Sequence, residues 1–451
     1  LKITLEEIIT ATQGEVIFNK CNFGKIGVST DSRTIKEDEI FIPIVGENFD
    51  GHDFINNALK QGAVGYFIDK THTDKVNRYY NPTKVVIAVE DTLEAYLKIA
   101  NFVKKKISPK VVAVTGSSGK TTAKEMIYSV LSQKYNTHKS ILNHNNEIGL
   151  CQTLMKMPEN AEYLVAEMGM RGLGEISLLS KYAEPDFAVI TNVGTAHIGR
   201  LGSKKNIARA KCEITEHMNK NGVLIAHDDE LIKSACKFKG KKIFYGNNFQ
   251  ITEMTEDSTK FSYENENYEL SVNGEYNVIN AIAAIEIGKL AGLSTKQIAQ
   301  GLLKYQPVGE RGKVISLDSG AKIISDCYNA NPDSMKASIN AVISTYQDAE
   351  IFLVLGDMGE LGAEETDLHK EIGKFLSKKE FSQLVTVGEK ARFIAKSAKN
   401  NASINSFETN IQAAEYLESQ LSQNSVVLIK GSRSMKMEEI SESLQKVKTK
   451  V

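Results

Sequence analysis

No stretch of the 451-residue sequence approaches the ~20 consecutive apolar residues that span a bilayer, so membrane insertion is not expected. Its best apolar runs, 110-KVVAVTG-116 and 351-IFLVLG-356, suit buried strands instead. An excess of one charge is missing too. The 55 Lys and Arg residues face 56 Asp and Glu, which argues against a dedicated nucleic-acid binder, where a basic stripe is expected. Cysteine is scarce and not paired in spacing. Cys21, Cys151, Cys212, Cys236 and Cys327 fit neither a zinc ribbon nor a disulfide framework, which points to a reducing cytoplasm. The first residues, LKITLEEIITATQG, lack the apolar core of a signal peptide. No short-period repeat is present, so a solenoid is excluded. What remains is ordinary soluble composition, 41% hydrophobic and 25% charged. At ~150 residues per domain, the length implies about three domains, with a monomer as the default state.

Residues 1–108 read as short strands alternating with helices. The segments 27-GVST-30, 40-IFIPI-44, 64-VGYFI-68 and 84-KVVIAV-89 are rich in Val, Ile or Phe. Between them, 52-HDFINNALKQG-62 has helical apolar spacing and stops at Gly62. A longer helix is expected from an Asp91 N-cap through Leu93, Leu97 and Phe102. Its terminal Lys104, Lys105 and Lys106 read as a solvated end set against the negative pole of the helix dipole.

Residues 109–308 open with a strand, a Gly-rich loop and a helix. Further strands are expected at 162–168, 186–192, 222–227 and 242–246. The polar, alternating stretch 250–272 fits exposed antiparallel strands, and an Ala/Ile-rich helix follows from Asn277 to Ala291. Across 309–451 the alternation returns, with strands near 322–325, 350–356, 384–388 and 425–430. Strands and helices alternating in this way require parallel sheets with crossover helices, so three α/β units are expected.

The sharpest local signal is 111-VVAVTGSSGKTTAKEM-126. A β-branched run feeds Thr115, Gly116, Ser117, Ser118 and Gly119; Lys120, Thr121 and Thr122 then open a helix. Glycines let backbone N–H groups converge on phosphate oxygens, and the helix N-terminus favours negative charge. Lys120 would reach the terminal phosphates and the Thr121 hydroxyl would ligate Mg²⁺. Val114 stands where the longer phosphate-loop pattern has its first glycine, leaving a G-x-x-G-K-T-T loop. Such a loop predicts a nucleoside-triphosphate site, with motors, switches, kinases and ligases all still open.

Three further constellations narrow the chemistry. Glu167, in 165-VAEMGM-170, ends a buried strand where a carboxylate can bind Mg²⁺ beside a phosphate loop. In 189-VITNVGTAHIGRLGSKKNIARAKCEI-214 a strand ends at Asn192, a loop presents His197, and a helix carries Lys211. Taken singly, a loop histidine is more often a packing residue, and a helix lysine a solvated one. In 326-DCYNANPDSM-335 polar side chains gather beyond a strand's carboxyl end, where open α/β sheets bind ligands; an Asx-rich turn opening a helix at Pro332 gives the same string.

Together these strings resemble the Mur ligases, ATP-dependent amide-bond-forming enzymes of bacterial cell-wall synthesis. The resemblance extends over nearly the whole chain. It takes in 31-DSR-33, 46-GENFDGHDFI-55, TGSSGKTT, 143-NHNNEIG-149, EMGMRGLGEI, ITNVGTAHIGRLGS with AKCEI, DCYNANPDSM, 355-LGDMGELG-362 and 430-KGSRSMKME-438. It implies a three-domain architecture with a central phosphate-loop domain and a Rossmann-like C-terminal domain. Residues 1–108 would hold a UDP-sugar, 109–308 ATP and Mg²⁺, and 309–451 the incoming amine. Within the family, DGHDFI, YNANPDSM and KGSRSM favour the member that adds D-Ala-D-Ala to a UDP-MurNAc-tripeptide through an acyl phosphate.

The resemblance also implies roles. Lys120, Glu167, His197 and Lys211 would form the catalytic set, with Thr121, Glu167 and His197 at metal-associated positions. Lys211 matches the lysine that reacts with CO₂ to become a carbamate, which would make Lys211 a metal-site residue as well. Asn277 and Asn280 would lie near the adenine, Arg311 would reach ATP phosphates, and Asp326 would take the ribose. Ser29, Asp31, Ser32, Arg33 and Asn146 would contact the UDP substrate, an Asp31 salt bridge being the competing account. Asn329, Asn331 and Arg433 would meet the dipeptide, Arg433 gripping its carboxylate with two hydrogen bonds. A folylpolyglutamate-type ligase, another Mur-type ligase and a nucleotide-binding scaffold are the alternatives. The DSR and DGHDFI strings of the front segment argue against the folate type, and the intact catalytic set against the scaffold.

Overall fold

The computed structural model describes residues 1–18, 24–73, 83–141, 143–309, 312–399 and 402–446. Three α/β sheets follow one another along the chain. In the first, strands run in the order Glu15–Phe18, Val85–Val89, Gly65–Asp69, Glu39–Phe41, Gly27–Ser29. All pairs are parallel except the edge strand Glu15–Phe18, which pairs antiparallel with Val85–Val89. The middle sheet is wholly parallel, in the order Lys241–Tyr245, Val223–His227, Phe187–Ile190, Lys110–Thr115, Tyr163–Glu167, Thr137–Lys139. The third runs Lys313–Ser316, Lys322–Ser325, Ser425–Lys430, Glu350–Gly356, Gln383–Val387, Ser403–Phe407, with only its first strand antiparallel. The expected mixed α/β class with parallel sheets is thus present, with antiparallel edges on two of the three sheets.

The helix Thr92–Ile107 shows how sequence sets structure here. The Asp91 carboxylate accepts the Glu94 N–H at 2.6 Å, which caps the first turn. Ala95, Tyr96, Leu97, Ile99, Ala100 and Val103 form the buried stripe, and Ser108 at φ 59° ends the helix before Pro109. The lysine run is not uniformly solvated. Lys104 is only 7% exposed, donating to Ala183 O at 3.1 Å and Glu184 Oε2 at 2.6 Å. Its aliphatic stem lies in the packed seam between the front segment and the helix Glu175–Ala183.

The 250–272 stretch folds as Phe249–Met254, Thr259–Tyr263 and Glu266–Leu270, antiparallel throughout. Only one face is exposed; Phe261, Tyr263, Tyr268 and Leu270 pack with the helix Glu275–Leu290. That helix is buried on almost every side, because it lies between this small sheet and the helix Lys120–Leu131.

Candidate active site

In the middle sheet, Lys110–Thr115 lies between Tyr163–Glu167 and Phe187–Ile190, so successive crossovers lead to opposite sides of it. The crevice beyond the carboxyl ends of strands at such a switch point is the natural ligand position. All three strands deliver residues there. Gly116 (φ 154°) and Gly119 (φ 76°) shape the loop after Lys110–Thr115. A Cβ at Gly116 would stand 1.8 Å from Thr191 Oγ1, and one at Gly119 would stand 2.6 Å from Asn280 Oδ1, so no larger residue fits. Asn192 Oδ1 accepts the Ser117 and Ser118 N–H groups at 3.1 and 3.0 Å, pinning the loop to the next strand. Lys120 Nζ folds back onto Gly116 O at 2.8 Å, at the start of the helix Lys120–Leu131.

Glu167 is 2% exposed at the end of its strand. The Thr121 hydroxyl donates to its Oε2 at 2.9 Å, Asn145 Nδ2 donates to its Oε1 at 3.0 Å, and Lys124 Nζ stands 3.8 Å from Oε2. Lys124 is fully buried and also donates to Ser140 O at 2.9 Å. A buried carboxylate with this many donors is a fixed carboxylate, which is what a metal ligand beside a phosphate loop requires.

His197 approaches from the other side, in a left-handed conformation at φ 65°. Its Nδ1 is 2.5 Å from Glu360 Oε2 without the alignment of a hydrogen bond, and Glu360 is itself left-handed at φ 60°. Burial pushes the His197 pKa down; Glu360 opposes this, while the charges of Lys120 and Lys211 add to it. Lys211 lies on the helix Lys204–Cys212, 2% exposed, with no hydrogen-bond or ion-pair partner among the described residues. Burial first, and the Lys120 charge second, push its ammonium far below the ordinary lysine range, toward the neutral amine.

A cavity of about 1860 Å³ joins these groups, with walls from all three sheets' segments. The middle segment supplies Ser117, Ser118, Gly119, Lys120, Thr121 and Thr122, and beyond them Asn146, Glu167 and His197. Asn277 and Asn280 enter from the helix Glu275–Leu290, while Asp326, Asn329, Asn331 and Arg433 face them from the back segment. Thr115, Gly116 and Lys211 do not line the cavity, and the buried Thr115 hydroxyl has no hydrogen-bond partner among the described residues. Arg311 lies outside the described residues.

Ser29, Asp31, Ser32 and Arg33 are not part of this wall. Asp31 is held by Arg33, whose N–H, Nε and Nη2 donate at 2.9, 2.9 and 2.8 Å, and this bonding lowers its carboxyl to about 2. Ser29 Oγ bonds the Asp31 backbone, and Ser32 Oγ accepts from Asn57 Nδ2 at 3.2 Å.

Several wall residues carry structural duties as well. Asn146 and Asn331 cap the helices Glu147–Met155 and Pro332–Thr345. Asn277 and Asn280 donate to Asn273 O and Tyr276 O at 2.6 and 2.9 Å. Asp326 Oδ2 accepts from Lys430 and Ser338, both at 2.6 Å, and Arg433 Nη1 is 2.5 Å from Glu438 Oε1.

Lys124, Asn145, Asp333 and Glu360 were not singled out from sequence. Asp333 Oδ2 accepts both the N–H and the hydroxyl of Thr195 at 2.7 Å, tying the His197 loop to the back segment. All four lie inside strings that stand out in the sequence, Asn145 in 143-NHNNEIG-149, Lys124 in 111-VVAVTGSSGKTTAKEM-126, Asp333 in 326-DCYNANPDSM-335 and Glu360 in 355-LGDMGELG-362, but nothing local assigns them a partner.

A phosphate loop at a switch point, a fixed acid on the neighbouring strand and a buried, uncharged-leaning lysine define a nucleotide-dependent α/β protein of three segments. Family models match along the chain in order: "Mur ligase family, catalytic domain" at residues 26–104, "Mur ligase middle domain" at 114–288, and "Mur ligase, glutamate ligase domain" at 310–433. The UDP-N-acetylmuramoyl-tripeptide–D-alanyl-D-alanine ligase of Bacillus subtilis is 39% identical over 428 residues, 93% of each chain. A crystal structure of MurF from Acinetobacter baumannii superimposes with a TM-score of 0.89 at 30% identity, covering 99% of both chains. MurF ligase from Thermotoga maritima, in complex with ADP, matches at 0.83 and 28% identity over 93% of this chain and 97% of that one. The chain belongs to the Mur ligase family.

Proposed function

We propose that this chain joins D-Ala-D-Ala to UDP-MurNAc-tripeptide, converting ATP to ADP and phosphate and giving the UDP-MurNAc-pentapeptide precursor of peptidoglycan. The observation that carries this reading is the near end-to-end similarity to dipeptide-adding ligases, 39% identity over 93% of both chains for the Bacillus subtilis enzyme. The domain roles follow: 1–108 for the UDP-sugar, 109–308 for ATP, and 309–451 for the dipeptide. Such substrates belong to the cytoplasm, and no helix among the described residues is long and apolar enough to cross a membrane.

A carboxylate is a poor acyl donor, because oxide leaves badly and its negative charge repels nucleophiles. Transfer of the γ-phosphoryl group to the tripeptide's terminal carboxylate replaces that leaving group with phosphate. The dipeptide amine then attacks the acyl carbon, the tetrahedral intermediate collapses, and the amide forms with loss of phosphate and a proton. Bringing two anions together is the difficult part, and positioning and charge compensation are what the residues supply. The N–H groups of Gly119 and Lys120 at the helix start hold phosphate oxygens, and the Lys120 ammonium neutralises them. Asn277 and Asn280 border the adenine, Asp326 and Arg311 the ribose and phosphates. Ser29, Asp31, Ser32, Arg33 and Asn146 serve the UDP substrate, and Asn329, Asn331 and Arg433 the dipeptide.

The donor set fits Mg²⁺: the Thr121 hydroxyl and Glu167 carboxylate meet at 2.9 Å, hard oxygen ligands beside the phosphate loop, with His197 across the cavity. A bound Mg²⁺ would supply charge neutralisation on the phosphates. Lys211 fits the carbamate assignment, because a neutral buried amine is the form that adds CO₂. Addition of CO₂ to that amine releases a proton, takes the local charge from 0 to −1 and offers oxygen donors.

The test offers the purified chain ATP, Mg²⁺ and UDP-MurNAc-tripeptide with D-Ala-D-Ala, D-Ala or glutamate in separate reactions. Phosphate release and a product heavier by the dipeptide are expected only with D-Ala-D-Ala. Turnover with a single amino acid, and none with the dipeptide, would assign a different family activity.

A further inference from the structure

Two lysines stand one turn apart at the start of the helix Lys120–Leu131 and meet different surroundings. Lys120 lines the cavity; Lys124 does not, and it is fully buried. The Lys124 ammonium donates to Ser140 O at 2.9 Å and lies 3.2 Å from Glu125 Oε1 and 3.8 Å from Glu167 Oε2. Glu125 is itself buried, and its other oxygen pairs with Lys139, whose side chain is partly exposed. Two acids and two lysines therefore alternate in the order Glu167, Lys124, Glu125, Lys139, and their formal charges cancel. Buried Ser140 closes the arrangement, because its carbonyl takes the Lys124 ammonium while its hydroxyl accepts the Glu167 N–H at 3.1 Å. The acid that faces the phosphate loop is thus backed by a fixed cation.

We propose that Lys124 is a positioning residue acting through Glu167, whose charge keeps the affinity of the Thr121–Glu167 pair for a bare divalent cation low, so that Mg²⁺ enters and leaves with the nucleotide. This rests on the reading of Glu167 as the Mg²⁺ carboxylate given above. A carboxylate attracts a divalent cation through its net field, and an ammonium 3.8 Å from one of its oxygens subtracts from that field where salt screens little. With Lys124 in place, the cluster offers a bare cation no net negative charge. A bound triphosphate adds several negative charges on the cavity side, and the balance turns in favour of the metal. With an apolar chain at position 124, Glu167 keeps the Thr121 and Asn145 donors at 2.9 and 3.0 Å. Both donors are neutral, so the full carboxylate charge then faces the cavity. Support and charge predict opposite signs. Loss of a mere support for Glu167 weakens metal binding, whereas loss of an opposing charge strengthens it.

The test titrates Mn²⁺, a paramagnetic stand-in for Mg²⁺, into the full chain without nucleotide and reads free Mn²⁺ by electron paramagnetic resonance. Lys124→Met is expected to bind Mn²⁺ about tenfold or more tightly than the unaltered chain, and Lys124→Arg, which keeps the charge, to stay close to it. The tight binding is expected to vanish when Lys124→Met is combined with Glu167→Gln. Glu125→Gln leaves Lys124 facing one acid fewer, and is expected to weaken Mn²⁺ binding several-fold when a non-hydrolysable ATP analogue is bound. Unchanged or weaker binding by folded Lys124→Met, or tight binding that survives the loss of Glu167, would overturn the proposal. Should Lys124→Met fail to fold, Glu125→Gln decides, and unchanged or tighter binding there overturns it too. No peptide substrate enters these titrations, so their failure is distinct from a failure of the functional assignment.

Discussion

Lys120→Ala is expected to lower kcat/KM for ATP by about 10³-fold, with the protein still folded. One unit charge 4 Å from another is worth about 4 kcal/mol at an effective dielectric of 20, and about 1.4 kcal/mol is a factor of ten. Lys120 opens the helix after the phosphate loop and is placed by Gly116 O at 2.8 Å, so its ammonium is held at the loop where the two anions must meet. Removing it leaves the loop N–H groups in place and takes away that charge. Lys120→Arg is expected to rescue little, because a planar fork does not replace a compact ammonium in so tight a loop. Nucleotide titration and steady-state phosphate release together measure the effect. A loss of only a few-fold would mean that Lys120 does not touch the reacting phosphates.

Lys211→Ala is expected to lower kcat by about 10²–10³-fold, the range for loss of one fixed electrostatic group in a water-poor site, while ATP affinity changes far less. Lys211 does not line the cavity wall, so its loss removes no direct nucleotide contact. What disappears is a buried amine that burial and the Lys120 charge push toward neutrality. Formate or acetate is expected to restore part of the rate, by placing a carboxylate where the carbamate oxygens stood. Wild-type protein equilibrated with ¹³C-bicarbonate is expected to show a carbamate carbon signal that Lys211→Ala lacks. Unchanged turnover in Lys211→Ala, with and without added short carboxylates, would remove the carbamate from the account.

The phosphate loop could be read from sequence because everything it needs is local: a β-branched strand, two glycines in conformations that exclude a Cβ, and a lysine opening a helix. Glu167 was readable for the same reason, as the polar end of an apolar strand. His197 and Lys211 were not decisive singly, because their meaning depends on burial and on charges far away in sequence. Glu360 and Asp333 stand inside 355-LGDMGELG-362 and 326-DCYNANPDSM-335, but their contacts are hidden there for a related reason. Each gains its role only when the back segment meets the loop carrying Thr195 and His197, over a separation of 138 residues for Thr195 and Asp333. Lys104 was misread as solvated, since nothing local announces its partner Glu184, 80 residues on. The edge strand Glu15–Phe18 has the same origin: four residues, none buried, define a strand only through pairing with Val85–Val89.

The account rests on activation of a carboxylate by phosphoryl transfer, and oxygen labelling tests that step directly. UDP-MurNAc-tripeptide carrying ¹⁸O in its terminal carboxylate, turned over with unlabelled ATP and D-Ala-D-Ala, is expected to deliver one ¹⁸O atom to each inorganic phosphate released. That oxygen bridges carbon and phosphorus in the acyl phosphate and leaves with phosphorus. Phosphate free of label, alongside normal formation of the pentapeptide product, would show that the carboxylate is never phosphorylated and would contradict the mechanism.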